Sequence, residues 1–97
     1  MTTVEAQECV DRGIELLDRE FGTNFHEQID PGKLNIGSDF NCVCGQLYGT
    51  YLEGRKKLGL HSVREAERYG FDIANSEKSI FIELTKLWRE ALLARAS

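Results

Sequence analysis

No apolar run in the 97 residues approaches the ~20 needed to cross a bilayer, so a membrane-spanning helix is excluded. Repeats, low-complexity tracts and interdomain linkers are also missing, and the chain is expected to fold as one domain, 1–97. The opening Met-Thr-Thr-Val-Glu-Ala has no basic region followed by an apolar core, so no secretory signal is expected. Three cysteines, an odd number, then argue for reduced thiols in a cytosol rather than a disulfide frame. There is no phosphate-binding glycine loop and no nucleophile elbow. Positive charge is short as well: 12 Lys and Arg against 16 Asp and Glu leave a net −4. The deficit sits in residues 1–30, with eight acids and two bases, which disfavours a general nucleic-acid binder. At 41% hydrophobic and 29% charged residues, the chain is neither disordered nor membrane-like.

What is there centres on Asp39 to Leu52, which gathers Cys42, Cys44, Gly45, Gly49, Tyr48 and Tyr51. The spacing predicts a central helix from about Phe40 to Lys57, capped by Ser38 or Asp39. Phe40, Cys44, Leu47 and Tyr51 fall on one face, and Cys42, Gly45 and Gly49 form a narrow stripe of small residues beside it. Each glycine inside a helix costs about 1 kcal/mol against alanine, so something must offset the pair. A helix-packing groove at Cys42, Gly45 and Gly49 would do so, either in the core or at an interface. The best partner for it is the last helix, through Leu84, Leu87 and Trp88.

The other elements follow from caps and periodicity. Thr2 and Glu5 have the spacing of a capping box and open a first helix, Thr2 to Phe21. Its inward stripe is expected at Val10, Ile14, Leu17 and Phe21, with Glu8, Asp11, Glu15 and Asp18 facing solvent and Gly22 ending it. Residues 23–37 are irregular: one turn over Asn24 to Gln28 with Phe25 inward, a turn at Ile29-Asp30-Pro31-Gly32, then Leu34 and Ile36 against the core. Ser62 and Glu65 open a short helix, Val63 to Tyr69, closed by Gly70, and Phe71 and Ile73 should be buried. Asn75 or Ser76 is expected to cap the last helix, whose Ile80, Phe81, Leu84, Leu87, Trp88, Ala91 and Leu92 follow the helical repeat. The fold expected is all-α, a compact four-helix domain with one short helix and an irregular 23–37 segment.

Candidate chemistry is sparse. Cys42 and Cys44 are separated by one residue, not the two to four common at structural zinc, and diverge by about 200° on a helix. Cys9, His26 and His61 form no ligand pair, so no metal, no cofactor and no catalytic residue is expected. Gly59-Leu60-His61-Ser62, among Arg55, Lys56, Lys57, Arg64 and Arg68, resembles the turn of a helix-turn-helix. Its packing positions hold Arg55, Glu65 and Arg68 instead of small and aliphatic residues, so specific nucleic-acid binding is not expected. Tyr48 and Tyr51 beside Arg55, Lys56 and Lys57, with Arg64 and Arg68, make the candidate binding surface.

Cys42-Val43-Cys44-Gly45-Gln46-Leu47-Tyr48-Gly49-Thr50-Tyr51, then Leu58-Gly59-Leu60, Tyr69-Gly70-Phe71-Asp72 and Leu84-Thr85-Lys86-Leu87-Trp88-Arg89-Glu90, resemble motifs of a family of small proteins encoded by actinobacterial phages. The likeness covers roughly residues 29 to 95. Cys44 departs from it, standing where an aliphatic residue is usual, and so no shared two-cysteine metal site is implied. The resemblance implies a cytoplasmic protein of the infected host, in a gene class rich in host-takeover and anti-defence factors. The function expected is binding and modulation of a host or phage protein, not catalysis, with a homodimer left open. The alternatives are sequestration of a small ligand such as a signalling nucleotide, and a DNA-binding regulator.

Overall fold

In the computed structural model, which describes residues 1–74 and 78–96, helices α1 (Thr3–Glu20), α2 (Val43–Tyr48), α3 (Tyr51–Lys57), α4 (Val63–Arg68) and α5 (Lys78–Ala96) are joined by loops. A single 3₁₀ turn, Phe25–Gln28, lies in the first long connection, and no strand occurs among the described residues. The fold is all-α, with five helices rather than four among the described residues.

α1 starts where its cap predicts: Thr2 Oγ1 accepts from Glu5 N at 3.2 Å. Its inward face is turned from the expected stripe, however. Val10 and Leu17 are fully buried, but Ala6, Cys9, Gly13 and Leu16 complete the face, Ile14 is half-buried and Phe21 is 38% exposed. The cause is Gly13. A Cβ there would collide with the Tyr69 carbonyl and stand 2.7 Å from Trp88 Cζ2, so the missing side chain lets the indole lie against the helix backbone.

Trp88 is the centre of the core. It is fully buried, stacks on Phe71 at 5.6 Å between centroids, and donates from Nε1 to the Gly70 carbonyl at 2.7 Å. α5 presents Leu84, Leu87, Trp88 and Leu92 inward as the repeat predicts, and packs on α1. Arg95 ties its far end to α1 and the 3₁₀ turn, reaching Asp18 at 2.7 Å and the Thr23 carbonyl at 2.9 Å over the face of Phe25. The expected cap of α5, Asn75 or Ser76, lies outside the described residues.

The central helix is two helices. Gly49 has φ +105°, outside the range of a helix built from L-residues, and ends α2; Thr50 then caps α3 by accepting from Glu53 N. α2 also begins late. Ser38 Oγ accepts from Phe40 N and Asn41 N in a turn of its own, and Cys42 becomes the cap, its Sγ accepting from Gly45 N at 3.2 Å. Phe40 therefore stands 66% exposed instead of joining the inward stripe.

The groove expected at Cys42, Gly45 and Gly49 does not exist as a helix face. Gly45 is needed by its own loop: a Cβ would run into the Asp39 carbonyl and come within 2.6 Å of Phe40. A Cβ added at Gly49 would meet nothing within 4 Å among the described residues beyond its chain neighbours. The close crossing belongs to Gly54 in α3, where a Cβ would overlap Cys44 of α2. The short helices pack on each other there, and α5 is not the partner.

Candidate functional site

The segment after Pro31 is drawn onto α5 by two side chains of that helix. Thr85 Oγ1 accepts from Ile36 N at 3.0 Å while donating to the Phe81 carbonyl at 2.8 Å. Arg89 donates to the carbonyls of Pro31 at 3.0 Å and Leu34 at 3.3 Å. From the other side, Gln46 of α2 accepts from Asp30 N at 2.7 Å and donates to the Asp30 and Asn41 carbonyls. With Leu34 and Ile36 buried beneath, residues 31–37 become a fixed ledge along the first half of α5.

Between ledge and helix runs an open groove. One stretch, of about 490 Å³, is lined by Leu34, Asn35, Phe81, Ile82, Lys86 and Arg89, with Thr85 at its wall. It continues past Ile82 into a stretch of about 400 Å³ beside Gly37 and Lys78. Phe81 is half-buried and forms the floor, and Ile82 rises from the rim 71% exposed. Among the described residues, no acid lines either stretch, while Lys78, Lys86 and Arg89 do. A chain of net −4 thus carries a local cationic, apolar groove. Across Phe81 and Gly37 lies a smaller recess of about 80 Å³, where Asp39, Tyr51 and Asp72 meet.

The residues singled out from sequence are dispersed. Tyr48 packs edge-on against Phe21 at 5.7 Å. Tyr51 donates to Asp72, and Arg55 lies over its ring at 5.5 Å while bonded to the Leu60 carbonyl. Burial first, and then the bond to Asp72, raises the Tyr51 phenol well above its usual range, so it remains a donor. Lys56 pairs with Glu53 in solvent at 3.9 Å, and Lys57 is exposed at the end of α3. Arg64 and Arg68 line a cleft between α4 and α1 with Arg12, Glu5, Glu8 and Glu67, where acids offset the arginines. The set forms no single surface.

Cys9, Cys42 and Cys44 are buried and free, and burial raises the pKa of each. Arg12, 3.4 Å from Cys9 Sγ, opposes that rise without cancelling it. No group of three or more His, Cys, Asp or Glu side chains placed to hold a metal occurs among the described residues. Among them, too, no helix is long and apolar enough to cross a membrane.

Ile82, Lys78 and the ledge were not singled out by sequence reasoning. The available signal was an isoleucine off the inward stripe of α5, four residues from a lysine on each side. Comparison with protein-family models, curated proteins and solved structures yields no match to this chain.

Proposed function

We propose that the chain is a small phage-encoded interaction protein that binds and modulates a host or phage protein, using the groove along α5 as its contact. The observation that carries this is Ile82, held 71% exposed between cations above a pinned ledge. A large apolar side chain kept in water beside a formed groove fits the centre of a protein contact. The motif resemblance supports the phage setting. Catalysis has less support, because the thiols are buried and kept protonated. Sequestration of a nucleotide would need Tyr48 and Tyr51 in one pocket with cations, whereas Tyr48 turns to Phe21 and Tyr51 to Asp72. DNA binding through Arg64 and Arg68 would bring Glu5, Glu8 and Glu67 against phosphate.

The test is affinity purification from an actinobacterial host with the wild-type chain and with Ile82→Asp, followed by mass spectrometry of proteins and small molecules. A stoichiometric protein retained by wild type and lost by the folded variant is expected. A partner that Ile82→Asp still holds, or a small molecule in its place, would defeat the reading.

A further inference from the structure

We infer that the groove takes an acidic amphipathic helix of the partner, seating an apolar side chain on Phe81 and Ile82 and pairing carboxylates with Lys78 and Lys86. This rests on the reading of the α5 groove as the contact surface and adds the chemistry of its occupant.

Charge decides the sign. Three cations line the two stretches of groove, and among the described residues no acid does. Arg89 is engaged with the Pro31 and Leu34 carbonyls, but carbonyls leave its charge in place. Lys78 and Lys86 are exposed and enter no ion pair among the described residues. Exposed charges are screened beyond about 8 Å at physiological salt, so a short segment along α5 meets Lys78, Lys86 and Arg89 ahead of the net −4, with Asp39 and Asp72 set in the separate recess across Phe81 and Gly37. An extended nucleic acid or an anionic membrane would meet the acids of the rest of the surface as well.

The backbone decides the shape. An extended peptide gains affinity by pairing with a free edge, and residues 34–37 offer no free N–H for it. Leu34 N bonds to the Pro31 carbonyl, Asn35 N to that of Asn41, Ile36 N to Thr85 and Gly37 N to its neighbour Asn35. Recognition must therefore run through side chains along α5. Lys78, Ile82 and Lys86 are one stripe at i, i+4 and i+8, with the cations about 12 Å apart. A helix laid along it repeats at the same interval, an apolar residue between two acids two turns apart.

The experiment uses labelled helical peptides of about fifteen residues, with leucine on one face flanked by glutamate, and twins carrying lysine instead. Fluorescence anisotropy should show the glutamate peptide binding about tenfold or more tightly than its twin, and weakening as salt rises. Lys78→Glu with Lys86→Glu should invert that preference, and Ile82→Asp should weaken both peptides, circular dichroism confirming each fold. Equal affinities, a preference for the lysine peptide, or indifference to charge reversal would overturn the inference. So would stronger binding to phosphatidylglycerol vesicles, or a concentration-dependent dimer that Ile82→Asp dissolves. If the purified host partner is lost with Ile82→Asp but held by the charge-reversed chain, the acidic occupant fails while the groove stands. If Ile82→Asp keeps the partner, the groove reading itself has failed.

Discussion

At Gly13 the absent side chain decides where the core tryptophan sits, and the same logic sorts the other glycines. Adding a Cβ at Gly13 meets a backbone carbonyl and the indole at once, so neither neighbour can give way cheaply. Gly13→Ala should gain about 1 kcal/mol in helix propensity and lose more than that to overpacking, typically 1–3 kcal/mol. Gly54→Ala should also destabilise, because its Cβ would overlap Cys44 across the α2–α3 crossing. Gly49→Ala fails differently. Space is open there, but φ +105° with ψ −47° lies outside the left-handed helical region that asparagine tolerates, so alanine and asparagine should both be strained. Urea midpoints should rank Gly13→Ala below Gly54→Ala, and Gly49→Asn should gain nothing over Gly49→Ala. The spacing of Gly45 and Gly49 was visible in the sequence, but their backbone angles were not. A glycine four residues after another suits a packing stripe and a helix end equally well.

Among elements, those with local signals were legible. Thr2 and Ser62 cap as their spacing predicts, Phe25, Leu34, Ile36, Phe71 and Ile73 are buried, and α5 buries its repeating face. The ledge was not legible, since Ile36 and Thr85 are 49 residues apart and Pro31 and Arg89 are 58 apart. Nothing local announces a threonine that will accept from a distant loop. Thr85→Val tests that join. It keeps the shape and removes the acceptor, leaving Ile36 N unsatisfied in a half-buried place, at a cost of about 1–2 kcal/mol. Hydrogen exchange should accelerate at the Ile36 amide well before the α1 amides respond. If both accelerate alike, the ledge is no separate unit. Trp88→Phe should be costlier, because it takes the indole donor away from the buried Gly70 carbonyl and opens a cavity beside Phe71.

For the molecule as a whole, the protonation of its buried groups sets an alkaline limit. Cys9, Cys42, Cys44, Tyr48 and Tyr51 all have pKa values raised by burial above the ordinary thiol and phenol ranges. Each group holds its proton longer folded than unfolded, so above the unfolded pKa the unfolded chain binds fewer protons. Stability is then complete below about pH 8.5 and falls as pH rises toward the raised folded values. No loss from these groups is expected on the acid side. Cys44→Ala separates this linkage from general alkaline damage. At neutral pH the variant should be less stable by about 1 kcal/mol, since a small buried group is lost and a cavity remains. Above the thiol range its stability should fall less steeply than wild type, because one titrating site has gone, and the two curves should draw together. Denaturant midpoints across the alkaline range measure this directly. Parallel curves would mean that the Cys44 proton contributes nothing to the limit, and that the phenols at Tyr48 and Tyr51 with the other two thiols account for it.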